Sequence, residues 1–141
     1  MELQATAHAV APPEDVWTLF VDVERWPELT DSITSVRRLD DGPLRLGSEA
    51  VIKQPRLQQA RWKVTEIDPG RSFTWETKAA GVTTVAVHTV ERGEGGSSIT
   101  LSLRQSGPLA GIVGWLLGAR TRRYVSMELE GFRRGAESAR A

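Results

Sequence analysis

Polar and apolar residues alternate along most of the chain and recur at helical spacing near its end. Apolar side chains, mostly alanine, occupy every second position from Leu3 to Ala9, which predicts a strand over residues 3–10. Small side chains on its apolar face leave space beside a sheet instead of filling it. His8 lies on the opposite, polar face, and we expect it to be exposed.

Two short helices are predicted directly after this strand. Pro13 and the proline before it suit a helix start, where a missing N–H removes no intrahelical bond, and the apolar residues that follow recur at helical spacing. Asp22 is a candidate N-cap of a second short helix, which carries Trp26 and which we expect Pro27 to end. We expect Trp17 and Trp26 to pack between the helices without touching a ligand.

Six further strands are indicated by short segments bounded by turn residues. They cover residues 32–39, 47–54, 61–67, 72–78, 82–91 and 97–105. The turn at residues 68–70, Asp-Pro-Gly, joins two of them, and a glycine-rich turn at residues 92–96 joins another two, so each pair is predicted to form a hairpin. Sequential antiparallel strands make a meander, which needs a cover on one face.

The cover is predicted to be a long C-terminal helix over residues 108–139. Residues 109–117 are apolar on nearly all sides, a pattern typical of a buried segment, and beyond them the helix becomes amphipathic. Gly111, Gly114 and Gly118 interrupt the apolar part, and each destabilises a regular helix by ~1 kcal/mol relative to alanine. Two interpretations fit: a loosely helical, mobile gate over a cavity, or a buried helix start whose glycines allow close packing on the sheet.

Composition limits the classes of protein and of site. A length of 141 residues fits a single domain, residues 1–141, and the absence of cysteine excludes disulfides and thiolate catalysis. Lysine and arginine number 18, as do aspartate and glutamate. The resulting net charge of zero gives no footprint for nucleic acid or for an anionic membrane.

Motifs for targeting, metals and cofactors are not evident. The N-terminus does not follow a signal-peptide pattern, and no apolar run reaches the roughly 18 residues of a membrane span. We therefore expect a soluble, cytoplasmic protein, either a monomer or a weak homodimer. The two histidines lack the spacing of metal ligands and no glycine-rich phosphate loop follows a strand, so neither a metal nor a cofactor is expected.

Several motifs together carry a family resemblance over essentially the whole chain. They are Ala-Pro-Pro-Glu-Asp-Val-Trp at 11–17, Asp22, Trp-Pro at 26–27, Gly47, Trp-Lys-Val-Thr-Glu-Ile-Asp-Pro at 62–69, Phe-Thr-Trp at 73–75 and Glu-Leu-Glu-Gly-Phe at 128–132. In these positions the chain resembles the START-related SRPBCC superfamily, of the polyketide cyclase/dehydrase and lipid-transport type.

This resemblance implies an α+β helix-grip fold. A seven-stranded antiparallel sheet would wrap around the C-terminal helix and leave a cavity, with two short helices between the first and second strands. Members of the superfamily bind lipids, polyketides, sterols, quinones or hormones, and some catalyse aldol cyclisation or dehydration. The fold alone does not decide among these functions.

Three functions therefore remain open. The chain could bind or carry a small hydrophobic molecule, or act as a cyclase or dehydrase in which His88 or Glu66 moves protons, or serve as a non-enzymatic, quinone- or lipid-linked interaction module. Inward placement of His88 beside a large pocket would favour the enzyme, and a pocket of purely aliphatic and aromatic groups would favour the carrier. A cavity filled by Trp62, Trp75 and Trp115 would favour the interaction module.

His88 and Glu66 are the candidate catalytic residues. His88 shares a strand face with Ala86 and Val90, but both faces of that strand are apolar, so its side is not assigned. An imidazole inside a cavity can act as an acid or base near neutral pH, whereas the alternative is a structural histidine. Alternation places Glu66 on one face with Trp62, although its position next to a turn favours the rim.

Aromatic and aliphatic side chains from the hairpins and the last helix are predicted to form the ligand-binding wall. The residues are Trp62, Phe73, Trp75, His88, Ile112, Trp115, Leu116 and Tyr124. Candidates for cavity polarity are Thr84, Arg104 and Gln105. For any single aromatic residue, ordinary core packing is the alternative.

The last helix is rich in arginine. Its basic residues are Arg120, Arg122, Arg123, Arg133 and Arg134, and Glu128, Glu130 and Glu137 lie within pairing distance along the helix. We interpret this as a solvated face with ion pairs between successive turns. A docking surface for an acidic partner is the alternative.

Overall fold

The computed structural model describes residues 1–139. Its strands are β1 (Glu2–Ala9), β2 (Ser35–Arg38), β3 (Glu49–Lys53), β4 (Ala60–Asp68), β5 (Ser72–Ala79), β6 (Val82–Gly93) and β7 (Gly96–Ser106). Its helices are α1 (Pro13–Val21), α2 (Trp26–Leu29) and α3 (Ala110–Ser138), with a 3-10 turn at Val23–Arg25. The predicted elements are confirmed, and the last two residues of the predicted domain lie outside the described residues.

All seven strands form one antiparallel sheet in the order β1-β7-β6-β5-β4-β3-β2. The sheet is a meander from β2 to β7, and β1 pairs with β7, so that the first and last strands are neighbours. Helix α3 crosses one face and contacts β1, β6 and β7, while α1 and α2 pack against it. This is the helix-grip fold that the sequence predicts.

Strand register determines which side chains face α3. Val64, Trp75, Ala86 and Leu103 occupy matching positions on neighbouring strands, and all are buried or half-buried on the inner face. The two small residues Ala5 and Ala7 of β1 are likewise half-buried against the core, as their alternation predicts. His8 is exposed on the outer face, which confirms that prediction.

A cluster of aromatic rings closes the core at the end where α1 and α2 lie. Phe20, Trp26, Phe73 and Phe132 are nearly or fully buried and surround His88, with ring centroids 4.5–6.5 Å apart. Burying a side chain of this size contributes roughly 1.5–3 kcal/mol. The cluster therefore holds the inner face and α3 together beside His88.

Pro27 does not end the second helix, contrary to the sequence-based expectation. Trp26 and Pro27 form the first turn of α2, where a proline is tolerated because the first N–H groups have no intrahelical partner. Asp22 makes no capping hydrogen bond through its side chain. Instead, the Nε1–H of Trp26 donates to the backbone carbonyl of Leu19, 2.9 Å away, which links α2 to α1.

Glu66 lies on the exposed side of β4, as its place next to a turn favours, although strict alternation from Trp62 would put it on the inner face. Register along β4 and β5 shifts between Val64 and Glu66, because a bulge inserts one extra residue in β4. Val64 faces the core, but two residues later Glu66 is exposed, and Ile67 takes the inward position opposite Phe73. Strict alternation fails here because a bulge moves every later side chain of the strand to the other face.

The carboxylate of Asp40 organises the connection between β2 and β3. It accepts hydrogen bonds from the hydroxyl of Ser48, 2.9 Å away, and from the backbone N–H of Glu49, and the guanidinium of Arg38 lies 3.1 Å from it. Partial burial raises the pKa of Asp40, but these hydrogen bonds and nearby positive charges outweigh that effect and hold the pKa below its ordinary value.

The start of α3 is exposed, which contradicts the expectation that an apolar segment here is buried. Ile112, Trp115 and Leu116 are 59%, 84% and 63% exposed, and Gly111 has no atom close to where a side chain would begin. The segment is nevertheless part of one continuous helix. Its proposed mobility as a gate stays a prediction.

Candidate functional site

A cavity of about 370 Å³ lies between the inner face of the sheet and α3. This volume is near the lower end of the range of roughly 300–1,000 Å³ for ligand pockets. Its walls are mainly apolar and come from α2 and the segment after it, from β3 to β7, from the loop after β3, and from α3. The exposed residues of its lining, Gln58, Ala79 and Ala80, show that it opens at the end of the sheet where α3 begins.

Four of the predicted wall residues line this cavity. Trp62 and Trp75 stand on one wall with ring centroids 5.6 Å apart, and His88 and Tyr124 also face the space. Phe73 does not line it, because its ring lies beneath the imidazole of His88, stacked at 4.5 Å, and is fully buried. Phe73 therefore supports the cavity wall from behind and does not form part of it.

The helix wall is formed by residues other than those predicted. Val113 and Leu117 line the cavity, whereas Ile112, Trp115 and Leu116 face away from it into solvent. An apolar stretch on all sides of a helix carries no phase information, so periodicity could not distinguish the inward from the outward side. Further along α3, the inward side is continued by Thr121, Tyr124, Val125 and Glu128.

His88 lies at the inner end of the cavity and is 3% exposed. Its Nε2 is 3.0 Å from Oε1 of Glu128, a carboxylate on α3 that is itself largely shielded. Phe73 and Leu101 occupy the matching positions on the two neighbouring strands, so the imidazole is held between apolar groups. Inward placement of His88 is the arrangement that the sequence analysis connected with an enzyme.

The His88–Glu128 pair has the geometry of an oriented acid–base group. A carboxylate that accepts the Nε2–H fixes the orientation of the ring and leaves Nδ1 to accept a proton when the imidazole is neutral. Nδ1 is buried and has no hydrogen-bond partner among residues 1–139. Glu66, the other candidate, is exposed and is not part of the lining.

A polar row crosses the cavity wall near its open end. Thr77, Thr84 and Gln105 occupy matching positions on β5, β6 and β7 and line the cavity. The Oε1 atom of Gln105 is buried and has no hydrogen-bond partner within residues 1–139. Arg104 is exposed and does not join them. Thr84 and His88 are four residues apart on one strand, which separates the polar row from the histidine by about 13 Å.

Tyr124 has a structural bond as well as a place in the wall. Its hydroxyl donates to the backbone carbonyl of Pro55, 2.6 Å away, and so connects α3 to the loop after β3. Leu57 and Gln58 of the same loop line the cavity. The tyrosine therefore positions one side of the opening.

Two of the lining residues beside His88, Trp26 and Glu128, were assigned other roles from the sequence. Trp26 was expected to touch no ligand, yet it lines the cavity next to His88, with ring centroids 5.1 Å apart. Glu128 was assigned to ion pairs on the helix surface, but it pairs with the histidine. Its spacing from Tyr124 and Val125 could have placed it on the inward side, because these residues lie about one turn apart.

The described part of the chain has neither a cluster of metal ligands nor a membrane-spanning helix. Within residues 1–139, no three or more His, Asp or Glu side chains are grouped so that they could hold a metal ion. None of the helices in this range is long and apolar enough to cross a bilayer.

Comparison by sequence gives one family. The chain matches the family described as "Polyketide cyclase / dehydrase and lipid transport" over residues 1–137. None of the curated proteins matches the chain.

Comparison by structure gives several solved proteins of the same fold. The Zhui aromatase/cyclase from Streptomyces sp. R1128 superposes with a TM-score of 0.82 at 16% identity, covering 100% of this chain and 96% of that one. The protein TTHA0849 from Thermus thermophilus has a TM-score of 0.80 at 16% identity, with both chains covered completely. The di-domain ARO/CYC StfQ from the steffimycin biosynthetic pathway gives 0.80 at 10% identity, and this chain covers 51% of it. Identities this low establish the fold and no more.

Proposed function

The chain belongs to the polyketide cyclase/dehydrase and lipid transport family, and from that premise we propose that it binds a small, largely apolar and flat molecule in the cavity beneath α3. The observation that carries this proposal is the cavity itself, whose walls contain Trp26, Trp62 and Trp75. Flat aromatic walls with few polar groups suit conjugated or isoprenoid ligands.

The polar groups at the two ends of the cavity narrow the class of ligand. The row of Thr77, Thr84 and Gln105 lies near the opening, and His88 lies at the inner end. Gln105 Oε1 and His88 Nδ1 are buried acceptors without a partner within residues 1–139. A ligand with an apolar middle and a hydroxyl group near either end would satisfy one of them by donating a hydrogen bond to it. Hydroxylated aromatic molecules have this pattern, whereas saturated fatty chains do not.

Filling the cavity tests this proposal directly. Ala86 lies on the inner face between Trp75 and Leu103 and lines the cavity, so Ala86→Phe should occupy the ligand's space. Val85 is the preceding residue of the same strand and faces the other side of the sheet, which makes Val85→Phe the matched control. Both variants gain an aromatic ring at neighbouring positions.

The assay is tryptophan fluorescence, supported by native mass spectrometry. The panel contains a naphthoquinone, a hydroxylated anthraquinone and a fatty acid. We expect saturable quenching by at least one aromatic member, loss of that quenching in Ala86→Phe, and its retention in Val85→Phe. Equal binding by Ala86→Phe and the unmodified protein would place the site elsewhere and contradict the proposal.

Proton transfer to or from the bound molecule is a second candidate function, favoured by the His88–Glu128 pair. General acid–base catalysis by a positioned imidazole contributes roughly 10²–10⁴-fold to a rate. A panel member that binds and has an acidic C–H next to a carbonyl should therefore exchange that hydrogen for deuterium faster with the protein than without it.

Two substitutions separate catalysis from binding. His88→Asn should lower the rate of protein-catalysed exchange by about 10²-fold or more, while fluorescence quenching by the ligand persists. Glu128→Gln should lower this rate less, because the imidazole is retained but is less well oriented. Unchanged exchange in His88→Asn, with binding intact, would exclude this second function. The third possibility, a non-enzymatic interaction module, lacks the filled cavity that would favour it, because the cavity is open and Trp115 is exposed.

A further inference from the structure

The exposed start of α3 forms an apolar patch on the side facing away from the cavity. Leu109, Ile112, Trp115 and Leu116 are between 43% and 84% exposed and lie within two turns of one another. Isolated apolar residues on a surface need no explanation, but a contiguous group that includes an almost fully exposed tryptophan indicates a contact surface.

Positive charge surrounds this patch and the opening of the cavity. Three segments form this region: residues 54–60, residues 77–84 and residues 105–125. They contain no aspartate or glutamate but five basic residues, which are Arg56, Lys78, Arg120, Arg122 and Arg123. The whole chain has a net charge of zero, but the region around the cavity opening is strongly basic.

These positive charges are largely uncompensated. The four arginines have no ion pair among residues 1–139, and Lys78 has one long contact of 3.9 Å with Glu76. Glu76 and Glu2, the nearest acidic residues on the flanking strands, lie on the outer face of the sheet. The apolar patch is thus bordered by free positive charge.

We propose that this end of the molecule docks on a bilayer surface that contains anionic lipids. Trp115 and Leu116 would enter the boundary between headgroups and acyl chains, and the arginines would contact the phosphates. Trp115 and Arg122 project on the same side of α3 and are about 10 Å apart along its axis, at 1.5 Å per residue. Interfacial helices bury their apolar side about 5–10 Å deep in the bilayer. The separation of Trp115 and Arg122 is similar to this depth, so the ring can reach the acyl boundary while the guanidinium stays at the phosphates.

The charge pattern favours a bilayer over a second copy of the chain. Two copies joined through this patch would bring the same set of positive charges together around one interface, which opposes association. An anionic lipid surface has the complementary charge, and tryptophan is enriched at membrane interfaces because its ring is apolar and its N–H is polar.

Docking in this orientation would bring the cavity opening to the membrane. Val113 and Leu117 line the cavity. Ile112 and Leu116 belong to the same helical turns but are exposed on the patch. An apolar molecule leaving the bilayer would therefore pass from lipid to cavity around one turn of α3. The docking surface does not depend on which ligand the cavity holds.

Co-sedimentation with lipid vesicles tests the proposal. One set of vesicles contains phosphatidylcholine, and the other contains phosphatidylcholine and phosphatidylglycerol in equal parts. We expect the protein to bind the anionic set strongly and the neutral set weakly. Binding should fall steeply when the ionic strength rises to about 1 M, where the Debye length shrinks to about 3 Å.

Two matched pairs of variants locate the surface. Leu116→Ser should weaken binding about tenfold, whereas Leu46→Ser, at a position with equal exposure (65%) outside the patch, should not. Arg123→Gln should weaken it about fivefold, from about 1 kcal/mol per basic residue near an anionic surface. Arg37→Gln removes the same charge from an exposed position on β2 and should have no comparable effect.

Each alternative outcome contradicts the proposal. Absence of binding to anionic vesicles, or equal losses in the Leu116 and Leu46 variants, would exclude docking through this patch. If Leu116→Ser abolished self-association in sedimentation velocity and left vesicle binding unchanged, the occupant would be a second copy. Ala86→Phe, which fills the cavity, should still bind vesicles, so a failure of the ligand proposal can be distinguished from a failure of this one.

Discussion

Replacing glycine by alanine at two positions of α3 should change stability in opposite directions. A Cβ atom on Gly131 would lie 2.5 Å from the backbone carbonyl oxygen of Leu29 and 3.3 Å from the Cβ of Thr30, because α2 packs directly against α3 there. A Cβ atom on Gly111 would have no neighbour within 4 Å. The two sites share a helix and a substitution and differ in what surrounds them.

The expected magnitudes follow from two terms. Alanine is favoured over glycine in a helix interior by about 1 kcal/mol, and this gain applies fully at Gly131 and only in part at Gly111, which is the second residue of α3. At Gly131 the added methyl group overpacks a backbone contact, which typically destabilises by about 1–3 kcal/mol, and the upper end applies because a carbonyl in α2 cannot turn aside. Gly131→Ala should therefore lose about 2 kcal/mol of unfolding free energy, and Gly111→Ala should gain up to about 1 kcal/mol.

Urea unfolding followed by tryptophan fluorescence and circular dichroism measures both changes. With an m-value of about 2 kcal/mol/M, the two midpoints should lie about 1–1.5 M apart, with the unmodified protein between them. If Gly131→Ala unfolded at or above the midpoint of the unmodified protein, the close approach of α2 to α3 would be refuted. If Gly111→Ala lowered the midpoint, the solvent-facing orientation of the start of α3 would be refuted.

Three further substitutions test other parts of the structure. Phe132→Ala should destabilise the protein by about 3–5 kcal/mol in urea unfolding, because it removes a fully buried ring from the aromatic cluster; a loss below about 1 kcal/mol would contradict that packing. Tyr124→Phe should speed hydrogen exchange in the loop after β3, because it removes the bond to Pro55; equal exchange would exclude this role. Asp40→Asn should destabilise the protein by about 1–2 kcal/mol near neutral pH. Because the folded pKa of Asp40 lies below its ordinary value, that difference should persist above about pH 4 and disappear as the pH falls through the lowered pKa; a constant difference across this range would contradict the assignment.

The elements of the fold could be predicted because their signals are local. Alternation, turn residues and helical spacing located all seven strands and the three helices of residues 1–139, with ends differing by a few residues. The bulge in β4 could not be predicted, because it depends on how β4 pairs with β5. Alternation alone therefore puts Glu66 on the inner face, and only its place next to the turn pointed to the exposed rim. Pro27 was misplaced because a proline suits both the end of one helix and the first turn of the next.

The candidate site was predicted in part. The cavity is lined by four of the predicted residues, Trp62, Trp75, His88 and Tyr124. Alternation in their strands and helical spacing in the amphipathic part of α3 indicated which side chains share the inward side. The residues expected from the apolar start of the helix do not line the cavity, because an evenly apolar segment has no phase. Glu128 is 40 residues from His88 in sequence, so their pairing is a property of the assembled fold.

Pairing between the first and last strands has a consequence for synthesis of the chain. Leu3 of β1 lies opposite Leu103 of β7, so this part of the sheet cannot form until about 100 residues have been made. The inner face of the meander also has no cover until the 29 residues of α3 have emerged, which takes roughly 1.5–6 s at about 5–20 residues per second. During that interval the nascent chain exposes apolar residues of its future core, such as Trp75 and Leu103, and these are the kind of residue that chaperones bind.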